Sequence, residues 1–200
     1  MEEILIKYLP EQSIPVVLNW FEEYKFHLKI SKTRASKLGD FRPSSKGMPH
    51  RISVNGDLNK FHFLITLTHE VAHVKTWIEH GRNALPHGKE WQKDFTELLE
   101  VVTQTVDLPK DLLEVIYQHA KSPKASSCSD PKLYKALRKY DVNAEELAHL
   151  DELEFGEYFA LNRGRVFKKG EKRRTRYMCL DQNSGKPYLI SAHAKVKRLK

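Results

Sequence analysis

Three neighbouring side chains in this 200-residue chain have types and spacing suited to chemistry. They are His69, Glu70 and His73, in the stretch Thr68-His69-Glu70-Val71-Ala72-His73. Histidines four apart on a helix lie one turn apart on the same face, so both rings can reach one metal ion. A glutamate beside the first can then act as general base on a water that the metal activates. This is the H-E-x-x-H pattern of zinc-dependent proteases. With ten His and seventeen Glu in the chain, about 0.04 such matches arise by chance.

The helix that must position these residues starts at a cap, Asp57 or Asn59, and runs to Gly81, a residue type common just past helix ends. At 100° per residue, His62, His69, His73 and His80 form one narrow stripe. Phe63, Leu64, Leu67, Val71, Val74, Trp77 and Ile78 fill a broad apolar arc, with Phe61, Ile65 and Ala72 on a second flank. Such a helix is expected to be buried on most sides, with one polar seam. His62 and His80 each lie seven residues from the nearer motif histidine, about 10 Å along the axis, too far to share its ion. Both are expected to be partly exposed helix-end histidines.

A third ligand must come from elsewhere. The metzincin spacing needs glycine at 76 and histidine at 79, but the chain has Thr76 and Glu79, which excludes that class. After Gly81 the chain turns and reaches Pro86-His87-Gly88-Lys89-Glu90-Trp91. Trp91, Phe95, Leu98 and Val102 follow at helical spacing, so His87 opens a second helix able to fold back on the first. His87 is the preferred ligand because it sits at the turn, nearest the motif. Glu90, Asp94 and Glu97, on that helix's polar side, compete with it.

His69-Glu70-Val71-Ala72-His73, followed by Pro86-His87-Gly88-Lys89-Glu90-Trp91, resembles the SprT-like metalloprotease family, which includes the Spartan proteases that degrade protein cross-linked to DNA. Arg51-Ile52-Ser53-Val54-Asn55-Gly56-Asp57-Leu58-Asn59 also resembles the strand and turn before that family's active-site helix. The resemblance covers roughly residues 14–105. It implies one zinc ion on His69, His73 and His87, with Glu70 as the base and a DNA-associated protein as substrate. Three protein ligands leave a fourth position for water, as catalytic zinc requires.

Composition bounds the rest. No apolar run approaches 18 residues, so no membrane-spanning helix is expected. The N-terminal stretch lacks the basic and long apolar regions of a signal peptide. Two cysteines, Cys128 and Cys179, make no disulfide framework, and a reduced, cytoplasmic protein is expected. The net charge of +8 is uneven. Residues 1–121 carry sixteen basic and sixteen acidic side chains, residues 122–162 five and eight, and residues 163–200 thirteen and two.

Periodicity predicts a helix over about 14–24, then strands at Phe26–Ile30, across Arg34–Arg42, and around Ile52 and Val54. A helix is expected from about Pro109 to Ala120. Lys121-Ser122-Pro123-Lys124-Ala125-Ser126-Ser127 reads as a linker, which places a domain boundary after residue 121. A short helix through Leu133, Leu137 and Tyr140 and a weaker one over Asn143–Leu153 follow. Strands are expected at 155–161, 165–169, 173–181, 186–191 and 194–199, with turns at Asn162-Arg163-Gly164, Lys169-Gly170 and Asn183-Ser184-Gly185.

The expected fold class is therefore α+β. A minimal zincin-type protease domain (helix, small sheet, two active-site helices) spans 1–121, linker and short helices span 122–154, and a small basic antiparallel β module spans 155–200. Lys168, Lys169, Lys172, Arg173, Arg174 and Arg176 of that module are the expected nucleic-acid contacts, interleaved with aromatics. SprT-like proteins often end in a zinc ribbon built from two cysteine pairs. Here there is no C-x-x-C, so the module is expected to keep a ribbon-like shape without metal.

Overall fold

The computed structural model describes residues 2–34, 37–45, 47–124, 130–141, 147–161, 164–192 and 194–199. They form an α+β protein that divides into two compact units, Met1–Asp141 and Val142–Lys200. Cys128 lies outside the described residues. No described helix is long and apolar enough to cross a membrane.

The first unit runs α1 (Glu2–Leu5), α2 (Ile14–Tyr24), β1 (Phe26–Ser31), β2 (Gly39–Arg42), β3 (His50–Asn55), α3 (Lys60–His80), α4 (Lys89–Thr105), α5 (Lys110–Ala120) and α6 (Pro131–Arg138). Pro15 sits in the first turn of α2, where its missing N–H costs nothing, and Val17, Trp20 and Tyr24 turn inward. The helix stops at Lys25, whose left-handed φ of 48° aims the chain into β1. The sheet has the order β1-β3-β2. β1 is parallel to β3, from Phe26 opposite His50 to Ser31 opposite Asn55. β2 is antiparallel to β3, from Gly39 opposite Val54 to Arg42 opposite Arg51. The central strand buries Ile52 and Val54 completely.

Among the described residues, the strand expected across 34–42 is formed by its last four. Arg34 explains the difference. Its Nε donates to Asn55 Oδ1 (2.8 Å) and its Nη1 to Ser53 Oγ (3.0 Å). Asn55 Nδ2 returns bonds to the carbonyls of Arg34 and Lys37, both at 3.1 Å. Among the described residues, these side-chain bonds and one backbone bond, Asn55 N to Leu38 O at 2.8 Å, hold this connection against β3.

α3 is capped by Asn59, whose Oδ1 accepts from His62 N at 2.9 Å, and it ends at Gly81 with φ 58°. The Asn59 Nδ2 donates to Leu137 O (2.8 Å) and Asp141 Oδ1 (2.7 Å), tying the start of α3 to the end of α6. Leu133, Ala136 and Leu137 of α6 join the same core as Phe63, Leu64 and Leu67 of α3. The first unit thus extends past residue 121, because α6 supplies an apolar face that this core buries.

The second unit is one antiparallel sheet of β4 (Leu147–His149), β5 (Tyr158–Ala160), β6 (Val166–Arg173), β7 (Arg176–Asp181), β8 (Pro187–Ser191) and β9 (Lys195–Arg198), in the order β4-β9-β5-β6-β7-β8. Its core is Leu150, Leu153, Phe159, Phe167, Tyr177, Cys179, Ile190, Ala192 and Val196. The helix expected over 143–153 is corrected for its described part. Leu147–His149 pair with β9 and Leu150–Glu152 form a single 3-10 turn. The turn expected at Lys169-Gly170 is also corrected. β6 runs through it with a bulge between Lys169 and Lys172, and the chain reverses at Arg174, φ 52°. A side chain on Gly170 would collide with the carbonyl oxygen of Met178, so this glycine serves a close strand approach rather than a turn.

Candidate metal centre

α3 is buried around most of its circumference from His62 to Thr76, so His69 and His73 look out from inside the first unit through a narrow polar seam. The third histidine arrives from the turn before α4. His87 takes a left-handed backbone, φ 59°, unusual for a residue with a Cβ. Gly88 follows with an ordinary φ of −69° and caps α4. A Cβ on Gly88 would press on the Leu85 carbonyl at 3.0 Å, and the Gly88 N–H bonds that same oxygen at 2.9 Å. Gln92 Nε2 fixes the His87 carbonyl at 3.1 Å. A tight turn thus swings the His87 ring back over α3.

The three Nε2 atoms converge. His69 and His73 are 3.2 Å apart, His73 and His87 3.1 Å, and His87 and His69 3.2 Å. Tetrahedral zinc with bonds of about 2.0–2.1 Å needs ligand nitrogens about 3.3 Å apart, so this triangle fits within about 0.2 Å. Among the described residues, these three are the only cluster of metal-ligating groups. Burial holds all three imidazoles toward the neutral form that a metal needs. His69 lies well below its ordinary value, His73 is brought to about 4, and His87 is lowered too.

Aromatic rings back the cluster. The Trp91 ring centroid lies 4.6 Å from His69, 5.3 Å from His73 and 4.7 Å from His87. Phe41 of β2 lies parallel to His73, at 6.2 Å and 3°. These contacts restrain the ring orientations through packing alone.

The carboxylates that compete with His87 are engaged otherwise. Asp94 accepts from Thr76 Oγ1 at 2.6 Å and pairs with Lys75 at 3.0 Å, while Glu97 is bonded to Lys75 as well. Lys75 of α3 gathers both into a separate network. Glu90 is exposed. His62 is buried, at 3 % exposure, and packs edge-on against Tyr134, which corrects its expected partial exposure. α6 covers that end of α3, a contact beyond the reach of local periodicity. His80 is exposed beside Glu79.

Glu70 is 6 % exposed. Burial pushes its carboxyl up to about 8, the Asp40 charge adding to the rise and Arg34 and Lys37 opposing it. β2 lies against this residue, with Gly39 in contact distance of the carboxylate. Among the described residues β2 pairs only with β3, which leaves its other edge without a strand partner. Sequence reasoning missed Gly39 and Phe41. Their alternation on a short strand carries no chemical signal until the strand is placed on α3.

In the second unit the expected nucleic-acid contacts separate into two groups. Lys168, Arg173, Arg174 and Arg176 are exposed. Lys169 is buried, donates to the Leu153 carbonyl and lies 4.0 Å from the Tyr177 ring centroid. It is a core residue, which corrects its expected place on the surface. Lys172 is held by Asp151 at 2.8 Å. The Tyr188 ring sits under Arg165, its centroid 4.8 Å from the guanidinium carbon.

No family model, curated protein or solved structure matches this chain.

Proposed function

We propose that the first unit is a zinc-dependent endopeptidase of SprT-like type, a minimal zincin whose three histidines come from two neighbouring helices. The observation that carries this reading is the approach of three imidazole Nε2 atoms to 3.1–3.2 Å beside a buried glutamate in H-E-x-x-H order. His69, His73 and His87 would hold one zinc ion, which when bound lowers the pKa of a water and polarises a peptide carbonyl. Glu70 takes the proton of the attacking water on its carboxylate and passes it to the leaving amine. Burial raises that carboxyl to about 8 even against the Arg34 and Lys37 charges, and the positive charge of a bound ion would favour the carboxylate form that serves as base. An extended substrate backbone adds to the open edge of β2, next to these residues.

The resemblance to SprT-like proteins supplies the substrate class, protein bound or cross-linked to DNA, and with it a role in cytoplasmic DNA repair. The second unit would bring the enzyme to DNA through Lys168, Arg173, Arg174 and Arg176. The charge on residues 163–200 also favours a second reading, a nucleic-acid-binding protein with a structural or vestigial zinc site. Glu70 weighs against it, since three histidines hold zinc without a buried carboxylate alongside. Cleavage of protein by zinc-loaded wild type and Glu70→Gln, with and without DNA, separates the two. The protease reading expects activity in the wild type alone. Equal activity in both removes Glu70 as the base, and none under any condition leaves the binding reading.

A further inference from the structure

Gly39 stands in a regular ladder, opposite Val54 of β3, and its φ lies outside the left-handed region. The backbone there would accept any L-residue, so conformational freedom does not explain a glycine. What stands in place of a side chain is the Glu70 carboxylate. A Cβ at position 39 would collide with Oε1 and lie only 2.8 Å from both Cδ and Cγ of Glu70. Two residues along the same face of β2, the Phe41 ring lies flat over His73. The strand therefore rests on α3 at two adjoining points, bare backbone over the base and an aromatic ring over a histidine. Glu70 has little room to move away, being 6 % exposed and anchored on a helix buried through the turns on either side.

We infer that Gly39 is a positioning residue, whose missing side chain forms the slot that holds the Glu70 carboxylate in its working place. The inference rests on the protease reading for its functional meaning and on the contact geometry for its physical content. Gly39→Ala, made in the full zinc-loaded chain, should keep one zinc per chain because no histidine is touched. With fluorescent casein as the probe substrate, kcat should fall about a hundredfold while KM stays within about twofold. The Tm of the first unit should drop by about 3–8 °C, as overpacking of a tight site costs. Glu70→Ala removes the three colliding atoms, so adding Gly39→Ala to that variant should cost no further Tm. An equal Tm penalty in both backgrounds, or an unchanged kcat, overturns the inference. A wild type that cleaves nothing defeats the protease reading instead, and the Tm cycle still decides whether Gly39 shapes the slot.

Discussion

Four side chains make up the proposed site of the first unit, and without metal their protonation opposes itself. His69, His73 and His87 bind protons more weakly folded than unfolded, so between the ordinary value of 6.5 and the value of about 4 at His73 the unfolded chain holds more protons. Their contribution to stability is complete above pH 6.5 and is lost as pH falls toward 4. Glu70 acts in the other sense. Its carboxyl, raised from 4.5 to about 8, binds protons more tightly folded, so its contribution falls as pH rises through that range. Glu70→Gln removes only the second effect. Urea titrations of the apoprotein should show the variant more stable than wild type at pH 8, by about 1–3 kcal/mol, with the gap closing toward pH 4.5. A constant gap across that range would mean that the Glu70 carboxyl is not shifted by burial. For metal, His69→Ala, His73→Ala and His87→Ala should each lower zinc affinity by a factor of about a hundred or more, while Glu90→Ala and Glu97→Ala leave stoichiometry at one in metal analysis. Zinc lost with Glu97 and retained without His87 would assign the third ligand to the wrong side chain.

At the scale of elements, what the sequence made legible follows from how local the cause is. The start and end of α3, the turn at Pro86-His87-Gly88 and the parting of helices from strands all rest on neighbours in sequence, and they were readable. The choice among His87, Glu90, Asp94 and Glu97 was not fixed by pattern, because it depends on Lys75 drawing two acids away from another helix. β4 was hidden because its partner β9 lies far along the chain and an acidic, alanine-containing stretch imitates a helix. Gly39 was invisible for the same reason, since its neighbour is Glu70. Gly170 misled, as a glycine between lysines reads as a turn while its cause is the Met178 carbonyl across the ladder. Gly170→Ala should therefore destabilise the second unit by about 2 kcal/mol or more in denaturant unfolding, since a backbone atom cannot step aside. Gly185→Ala, at an open turn where a Cβ meets nothing, carries only the strain of its φ of 66° and should cost about 1 kcal/mol. If the two variants unfold alike, the bulge in β6 gives way more easily than its contacts imply.

Across the whole molecule, charge and the proposed chemistry are divided between the two units. Residues 1–141, which hold the three histidines, carry 21 basic and 18 acidic side chains, while residues 142–200 carry thirteen basic against eight acidic, with only two of those acids after residue 162. Part of that excess is used internally. Lys169 is buried on the Leu153 carbonyl, Lys172 is paired with Asp151, and Arg165 is bonded to Asp181, whose carboxyl is lowered to about 2 by the Ser184 backbone N–H first and Arg165 next. The exposed remainder includes Arg173, Arg174 and Arg176, clustered where β6 turns into β7. If this cluster meets DNA phosphates, each contact releases about 0.9 counterion. The triple change of these arginines to glutamine in the full chain should then weaken DNA binding and make the slope of log affinity against log salt shallower by about 2–3. Lys172→Met, which removes a lysine already held by a carboxylate, should leave that slope within about half a unit of wild type. Fluorescence anisotropy across a salt series measures both. Parallel slopes for the triple variant and wild type would mean that the arginine cluster only solvates the sheet, and the case for delivery to DNA through the second unit would lose its physical basis.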